Sequence, residues 1–391
     1  MRLASVDARS KSLDAAGAWL EKAIEKHLKA VAPRVILARL YVVTREAEKA
    51  LAITRPVIDG NAANAALLKV MGQAHMAMRQ PRDAAVVFRK LTTHHPKSVE
   101  AHFLLAGAYR ATRNKVRYAD EIRTILQLAP NNSLARLAMI RIDAEEGRIA
   151  KARERLAELK KEFPDQAPVH EMEGHVLVME KRYDKALAAF RKMTSLLKAP
   201  NREMARLIAR TQLQAGDRQG ATKTLEAWIK DHPGDHDLRF TLANQYLQHG
   251  QLDAAARNYE LILEGVPKNW AARNNLAWIL MKRGKLERAA KHVEKALEHS
   301  KDLPEVLDTA GVIFLAQGKT DRAVKSLRKA TDLQQDKRGG PNPTIQFHLA
   351  QALAESGLKE EALIVLRQIL AKHAKFPERA EAQDLKTKLG G

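Results

Sequence analysis

Three short stretches contain residue types that are typical of metal-binding or phosphate-binding sites. The stretch HPGDHD, at residues 232–237, gathers two histidines and two aspartates, which are common ligands of metal ions. The stretch AQGKT, at residues 316–320, ends like a phosphate-binding loop, in which backbone amides and a lysine hold phosphate. The stretch THHP, at residues 93–96, places two histidines directly before a proline.

The surrounding residues favour turns and helix ends for all three stretches. Ile313 stands where a phosphate loop requires its earlier glycine. Histidine suits the negative end of a helix dipole, and aspartate directly before a helix suits an N-cap. The chain also lacks cysteine and the motifs G-x-G-x-x-G, G-x-S-x-G and H-E-x-x-H. We therefore predict that the protein is not an enzyme and holds no cofactor or metal ion.

The composition indicates a charged, helical chain. Lys and Arg number 67 against 46 Asp and Glu, a formal net charge of +21, which favours encounters with nucleic acid or other polyanions. Aromatic residues make up only 5%, so the core must use Leu, Ala, Ile and Val, as closely packed helices do. Apolar runs such as AGVIFLA, at residues 310–316, are too short to cross a bilayer. The first twenty residues also lack the apolar region of a secretory signal.

The elements that position these residues recur along the chain. Small residues repeat at steps of 34, with one step of 35 and one of 39, and a second series follows twelve positions later. A 34-residue period of this kind resembles the tetratricopeptide repeat, a helix–turn–helix element. The first series is Ala38, Gly72, Ala106, Ile140, Gly174, Ala209, Ala243, Ala277, Gly311 and Ala350. The second is Ala50, Ala84, Tyr118, Ala152, Ala186, Ala221, Ala255, Ala289, Ala323 and Ala362.

Small residues at these positions let two antiparallel helices approach closely, and three other sets of residues complete the pattern. The space beside the small residues is filled by Phe88, Phe190, Leu225, Tyr259, Leu327 and Leu366. Prolines that end the second helix are Pro96, Pro130, Pro164, Pro233 and Pro267. Glycines at the turn between the two helices are Gly216, Gly250, Gly284, Gly318 and Gly357.

The predicted fold is all-α: a right-handed superhelical solenoid of about ten helix–turn–helix repeats, with an N-terminal half-repeat and a C-terminal capping helix. We assign residues 1–30 to the second helix of a half-repeat, residues 31–377 to the ten repeats, and residues 378–391 to the capping helix and tail. Because Tyr118 and Ile140 replace small residues, we expect looser or tilted packing in repeats 3 and 4. Residues 336–343 are expected to protrude as a loop. Since a solenoid needs polar caps at both ends, we expect the chain to be the C-terminal part of a longer repeat protein.

In tetratricopeptide superhelices the first helix of each repeat lines a concave groove, which predicts the partner-binding residues. This groove is basic and partly apolar early, rich in amides in the middle, and slightly acidic at Glu305 and Asp308. Any single arginine in it also fits an ordinary solvated side chain. The predicted groove residues are Arg39, Lys69, Phe103, Arg110, Arg141, Arg206, Arg210, Phe240, Asn244, Asn275 and Trp278, with Met172 and Met179 between the basic ones.

Asn244 and Asn275 occupy the places of two asparagines in the tetratricopeptide domains that clamp the C-terminal carboxylate of chaperones. Such amides hydrogen-bond both edges of an extended peptide backbone. The cationic residues of that clamp have no counterpart, because Phe240 stands at the first position and Glu305 and Asp308 at the last. The resemblance therefore implies binding of an extended segment other than a chaperone tail.

The last three repeats carry NNLAW (274–278), LDTAG (307–311) and FHLAQALAESG (347–357), followed by ERAEAQDL (378–385). This succession resembles the C-terminal repeats of tetratricopeptide lipoproteins associated with PEP-CTERM/exosortase systems, and of bacterial exopolysaccharide-secretion scaffolds. The resemblance implies a periplasmic, membrane-anchored scaffold. The chain departs from the family in having neither a signal peptide nor a cysteine that accepts lipid.

We predict a non-catalytic protein–protein interaction scaffold that binds extended segments or helices of partners in its groove, in an envelope, exopolysaccharide-export or protein-sorting system. Acidic polysaccharide is a further predicted ligand of the basic stretch. The alternative is a cytoplasmic protein that binds nucleic acid through phosphate contacts. Sparse aromatic residues and the absence of a nucleic-acid-binding module disfavour it. The expected location is periplasmic for a fragment of a lipoprotein-like chain, and cytoplasmic for a sequence complete as written.

Overall fold

The structure is a computed structural model that describes residues 15–197, 199, 201–334 and 340–390. The described residues form helices and turns, with no strand among them. The chain divides into two compact units, Met1–Ala199 and Pro200–Gly391, here called the N-terminal unit and the C-terminal unit. The boundary falls within the single 35-residue step of the repeat pattern, between Gly174 and Ala209.

In the N-terminal unit, α1 includes residues 15–26, and five helix pairs follow it. Two short 3₁₀ turns, Arg55–Val57 and Asp59–Asn61, end the first pair. The pairs are α2 (Val31–Val43) with α3 (Ala47–Thr54), α4 (Ala65–Ala77) with α5 (Pro81–His94), α6 (Val99–Ala111) with α7 (Lys115–Leu128), α8 (Ser133–Glu145) with α9 (Ile149–Glu162), and α10 (Ala167–Met179) with α11 (Tyr183–Ser195).

The C-terminal unit repeats the arrangement with five more pairs and a final helix, α22 (Arg379–Lys388). The pairs are α12 (Arg202–Gln214) with α13 (Arg218–Asp231), α14 (His236–Gln248) with α15 (Leu252–Gly265), α16 (Trp270–Lys282) with α17 (Leu286–His299), α18 (Pro304–Ala316) with α19 (Thr320–Asp332), and α20 (Pro343–Glu355) with α21 (Lys359–Lys372). The even-numbered helices α2 to α20 are the first helices of the ten predicted repeats.

The turn inside each repeat ends the first helix in a left-handed backbone conformation. The five glycines predicted at this turn all have φ between +70° and +83°, which confirms their role. In the N-terminal unit, four cationic residues take the same position at positive φ, in addition to Gly147. They are Arg45, Arg79, Arg113 and Lys181. Because they are not glycines, the sequence pattern did not identify these four turns.

The junction between repeats combines a proline, a cap and a hydrogen bond to the proline's carbonyl. Each of the five predicted prolines follows the end of a second helix by two residues, as expected. At four of these five junctions, Pro130 being the exception, a cationic or histidine side chain near the start of the next first helix donates to the carbonyl of that proline. His102 donates to Pro96 at 2.9 Å, and Arg239 donates to Pro233 at 2.8 Å. These bonds satisfy a carbonyl that the helix end leaves without a partner.

The core lies between the two helices of each pair and between neighbouring pairs. Nine members of the second small-residue series are fully buried, whereas Tyr118 is half-buried and its neighbour Ala119 enters the core instead. Ile140 is fully buried in a cluster with Leu156. Looser packing in repeats 3 and 4 stays a prediction.

At three of these positions the filling side chain occupies the place of a methyl group, so glycine is required. A methyl group on Gly72 or Gly174 would overlap the rings of Phe88 or Phe190, and one on Gly311 would overlap Leu327. Alanine stands at the corresponding place opposite Leu225 and Leu366. The two helices of a pair therefore approach as closely as the side chains at these two positions allow.

Residues 15–26 pack on α2 in the manner of a second helix on the next repeat. The Tyr41 hydroxyl donates to Glu21 at 2.6 Å, and Tyr246 contacts Glu226 at the same spacing in the C-terminal unit. The half-repeat at residues 1–30 stays a prediction, since residues 1–14 lie outside the described part. So do residues 336–339 of the predicted loop. Every described helix falls short of the length and apolarity needed to cross a membrane.

Candidate functional site

The first helices of neighbouring repeats lie against one another in the C-terminal unit. Helix α18 contacts both α16 and α20, and a side-chain hydrogen bond joins α14 to α16. The surface that these first helices share is called the first-helix face. It carries the predicted residues Phe240, Asn244, Asn275 and Trp278.

Asn244 and Asn275 are brought together by a buried tyrosine. Tyr259, on the second helix α15, is fully buried, and its hydroxyl donates to Asn244 Oδ1 at 2.5 Å. Asn275 Nδ2 donates to the Tyr259 oxygen at 3.0 Å and to Asn244 Oδ1 at 3.2 Å. The two amides therefore form one network with the hydroxyl, which fixes the orientation of both side chains.

This network leaves one hydrogen-bonding group of each amide unused. Asn244 accepts through Oδ1, so its Nδ2 remains a donor, and Asn275 donates through Nδ2, so its Oδ1 remains an acceptor. Within the described residues neither of these two atoms has a partner. Both side chains are partly exposed. The pair thus offers a donor and an acceptor, the complement of a peptide C=O and N–H.

Two aromatic side chains flank the amides. Phe240 is half-buried, with its ring centroid 5.8 Å from that of Tyr259. Trp278 is 37% exposed, and the ammonium of Lys282 lies 5.4 Å from its ring centre. Trp278 follows Asn275 by three residues on α16, so the two lie on the same side of that helix. The surface beside the amides is therefore apolar and accessible.

At the acidic end of the predicted groove, one carboxylate has a histidine partner. Asp308 Oδ1 lies 2.7 Å from His348 Nδ1, which joins α18 to α20. Both side chains are largely buried. Glu305 is exposed. The sequence identified the acidic residues but not this partner, because the histidine belongs to the next repeat.

The predicted cations of the C-terminal unit lie on α12. Arg206 forms an ion pair with Glu203 at 2.6 Å, one turn earlier on the same helix. Arg210 is exposed and makes no ion pair with a described residue. Neither arginine contacts the amide network, so the structure gathers the amides and aromatic side chains but not these cations.

In the N-terminal unit the predicted groove residues differ in their surroundings. Arg39 and Arg110 are exposed and have no ion pair among the described residues, while Lys69 is paired with Glu100. Arg141 is exposed and helps to lower the pKa of Glu171, although the main cause is a hydrogen bond from His175. Phe103 is half-buried against the core.

The two methionines predicted between the basic groove residues differ in exposure. Met172 lies in the core, with only 3% of its surface accessible, rather than on the first-helix face. Met179, in contrast, is 46% exposed.

The three stretches with chemical residue types lie at turns and helix ends, as predicted. Asp235 caps α14 by accepting from the Leu238 backbone amide at 3.2 Å, and it also accepts from Trp228 Nε1 at 2.8 Å. Gly318 has φ +74° and separates α18 from α19. His94 is the last residue of α5. In the described part of the chain, no group of three or more acidic or histidine residues has the arrangement to hold a metal ion.

Tyr259 should make the protein sensitive to alkali. Burial raises the pKa of Tyr259 to about 12, against its ordinary value of 10.0. Because the folded pKa is above the unfolded one, this contribution to stability is complete below pH 10 and is lost as pH rises toward 12. Between pH 9 and 11 we expect wild type to lose about 1.4 kcal/mol more stability than Tyr259→Phe. Urea unfolding at the two pH values measures this difference in stability. Equal losses of stability in wild type and Tyr259→Phe would contradict a buried, neutral Tyr259 hydroxyl.

Sequence reasoning treated Tyr259 only as a residue that fills space beside Ala243. Its functional signal is a phenol hydroxyl, longer in reach than that of Thr54 in repeat 1, at a position where the remaining repeats carry Phe, Leu, Ile or Val. The Tyr259 hydroxyl can be recognised as part of a site only once the structure shows that Asn244 and Asn275 both contact it. The sequence alone does not show these contacts.

Comparisons with known proteins are consistent with these helix pairs. One family model described as tetratricopeptide repeat matches residues 70–133 and 240–304. A second model with the same description matches residues 120–175 and 314–389. No curated protein matches the sequence.

Several solved structures resemble the chain at low sequence identity. The crystal structure of the APC/C hetero-tetramer Cut9-Hcn1 is 14% identical with a TM-score of 0.45, over 99% of this chain and 89% of that chain. A tetratricopeptide repeat protein from Parabacteroides merdae ATCC 43184 is 16% identical with a TM-score of 0.44, over 65% of this chain and 98% of that chain. YrrB, described as a TPR protein with an unusual peptide-binding site, is 19% identical with a TM-score of 0.39, over 47% of this chain and 94% of that chain.

In the regions that the two family models match, the described helices alternate in pairs, as they do in the rest of the described chain. Together they span residues 70–175, 240–304 and 314–389, which is more than half of the chain. The chain belongs to the tetratricopeptide repeat family.

Proposed function

We propose that the protein is a non-catalytic interaction scaffold whose C-terminal unit holds an extended segment of a partner protein against α14 and α16. The observation that carries the proposal is the pair of amides, Asn244 and Asn275, each oriented by Tyr259 and each with one free group of opposite type. An extended backbone presents C=O and N–H groups along its edge. The free donor and acceptor would bind one of each.

The aromatic side chains support the same ligand. Trp278 offers exposed apolar surface beside Asn275, and Phe240 lies near Asn244 on α14. A side chain of the bound segment would cover Trp278 while its backbone meets the amides. Because Tyr259 already fixes both amides, binding costs less side-chain entropy than it would for free asparagines.

The binding of other proteins is typical of the tetratricopeptide repeat family, which supports the scaffold over an enzyme. The resemblance of the last three repeats to exosortase-associated lipoproteins stays a sequence-based expectation, as does acidic polysaccharide as a ligand. The two matching family models describe tetratricopeptide repeats in general. We therefore propose the segment-binding site without a named partner system.

Nothing in the site favours nucleic acid as the ligand. Lys69 and Arg206, two of the predicted basic residues, already pair with carboxylates, and Arg141 faces Glu171. The amide network of the C-terminal unit carries no cation. Because nucleic-acid binding depends mainly on cations that neutralise phosphate groups, the site does not suit a nucleic acid.

The test uses linear peptides selected from a random display library against the full chain. Peptides that bind wild type should bind Asn244→Ala/Asn275→Ala about 5- to 150-fold more weakly, since two hydrogen bonds contribute about 0.5–1.5 kcal/mol each. Trp278→Ala should also weaken binding while it leaves the Tyr259 network intact. Affinity is measured by fluorescence polarisation with labelled peptides.

Matched controls separate the site from general surface effects. Gln219 and Gln368 are exposed amides on the second helices α13 and α21, and their replacement by alanine should leave affinity unchanged. Circular dichroism establishes that each variant remains folded. The proposal fails if the Asn244/Asn275 and Trp278 variants bind the selected peptides as tightly as wild type, or if the control variants lose as much affinity.

A further inference from the structure

A cleft opens in the N-terminal unit on the outer side of its second helices. It has a volume of about 500 Å³ and lies between the second helices α9 and α11, with α10 beneath. This volume is within the range of small-molecule sites, about 300–1,000 Å³. No residue of the cleft belongs to the amide network of the C-terminal unit.

Two alanines leave the cleft open, at places where every other repeat (for Ala157) or most other repeats (for Ala188) carry a longer side chain. Ala157 on α9 and Ala188 on α11 both line it. The residues at the place of Ala157 in repeats 2, 3, 6, 7, 8 and 9 are all long and charged: Arg89, Arg123, Glu226, Glu260, Glu294 and Arg328. With alanine on both helices, the space that those side chains occupy elsewhere remains open.

Ala157 leaves a lysine of the next repeat without the carboxylate partner that two C-terminal repeats provide. In the C-terminal unit, Glu260 pairs with Arg288 at 3.6 Å, and Glu294 pairs with Arg322 at 2.7 Å. Lys185 occupies the place of Arg288 and Arg322 in its repeat, opposite Ala157. It is exposed and makes no ion pair or hydrogen bond with any described residue. The glutamate that repeats 7 and 8 supply at this position is replaced by Ala157.

The rest of the cleft is apolar below and cationic above. Leu156 and Val176 are buried in its floor. Leu177 stands where repeats 3 and 7 place a tyrosine that binds the long charged residue. The lining includes five cationic residues against two carboxylates. Lys160 and Arg153 bind those carboxylates, Glu173 at 2.7 Å and Glu180 at 3.2 Å, so the uncompensated charge is positive.

We propose that this cleft binds a carboxylate joined to an apolar chain. The carboxylate would pair with Lys185, in place of the missing glutamate, and the chain would lie over Ala157, Ala188 and Leu156. Two sources offer this chemistry, a free alkanoate and the C-terminal carboxylate of a peptide with an apolar last residue. The site is separate from the one proposed for extended segments.

Isothermal titration of the full chain with octanoate, octanol and acetate tests the proposal. Octanoate should bind at one site per chain, and octanol or acetate at least about tenfold more weakly, since each lacks one of the two groups. A peptide ending in leucine, compared with its C-terminal amide, tests the second source. Whichever carboxylate binds more tightly identifies the ligand.

Three variants test whether the carboxylate binds in the cleft. Ala157→Glu supplies the carboxylate found in other repeats and should weaken carboxylate binding at least about tenfold. Lys185→Gln should weaken octanoate but leave octanol unchanged. Ala52→Glu, an exposed alanine on α3, makes the same charge change outside the cleft and should have no effect. Absence of binding by both carboxylates, equal binding of octanol and octanoate, or full affinity in Ala157→Glu would overturn the proposal.

Discussion

Gly174→Ala is expected to destabilise α10 and α11 by about 2 kcal/mol. The added methyl group would overlap the ring of Phe190, which is fully buried and has no free space to enter. Overpacking of this kind costs about 1–3 kcal/mol, and we expect the upper end because the ring is enclosed. Because alanine is about 1 kcal/mol more favourable than glycine inside a helix, the expected net loss of stability is about 2 kcal/mol. Hydrogen exchange by mass spectrometry on peptides from α10 and α11 measures the local effect.

Two further variants make this prediction specific. Gly107, in α6, has no atom within 4 Å of the position of an added methyl group, so Gly107→Ala should stabilise its helix by about 0.5–1 kcal/mol. Gly174→Ala/Phe190→Leu recreates the pair Ala209 and Leu225 found in repeat 6, so it should be more stable than Gly174→Ala alone. If Gly174→Ala and Gly107→Ala changed stability similarly, or if Phe190→Leu did not restore stability, close approach of the two helices would not explain the glycine at position 174.

His292 should make the C-terminal unit sensitive to acid. Burial, followed by the charges of Arg273, Arg288 and Lys295, lowers the pKa of His292 to about 4 from 6.5. Its Nδ1 is buried and has no hydrogen-bond partner among the described residues. Because the folded pKa is below the unfolded one, this contribution to stability is present above pH 6.5 and is lost as pH falls toward 4. The full difference corresponds to about 3 kcal/mol.

His292→Asn should remove most of this acid sensitivity. In the preceding repeat, Asn258 occupies the same position and accepts from Arg239 Nη1 at 3.3 Å. Asparagine at 292 can make the same bond to Arg273 and does not titrate. Urea unfolding at pH 7 and pH 4.5 should therefore show a smaller loss for the variant than for wild type. His299→Asn, at an exposed site on the same helix, is the control; equal losses in all three proteins would contradict the prediction.

The repeating fold was predictable because the positions of closest helix contact accept few residue types. Ala289 and its counterparts are buried in nine of the ten repeats, and the prolines and turn glycines mark the helix ends at fixed spacing. Tyr118 breaks the pattern, since Ala119 enters the core beside it. The turns at Arg45, Arg79 and their counterparts were missed because a left-handed residue other than glycine leaves no sequence signal.

The site was predictable only in part, because its geometry depends on contacts between repeats. Register placed Asn244 and Asn275 on neighbouring first helices, but the bridge through Tyr259 needs the second helix between them. For the same reason, the pairing of Lys69 with Glu100 could not be predicted from one repeat alone. The cleft at Ala157 and Ala188 has a sequence signal, two alanines at usually charged places, but its shape depends on how α9 and α11 lie together.

The central claim is that a partner segment binds at Asn244 and Asn275 on the first-helix face, and site-specific photo-crosslinking tests it most directly. A photoreactive phenylalanine derivative would replace Trp278, beside the amides, or Leu261, which is 42% exposed on the second helix α15. A peptide selected for binding to the full chain should crosslink to position 278 and not to position 261. Crosslinking at 261 alone, or equally at both positions, would contradict the account.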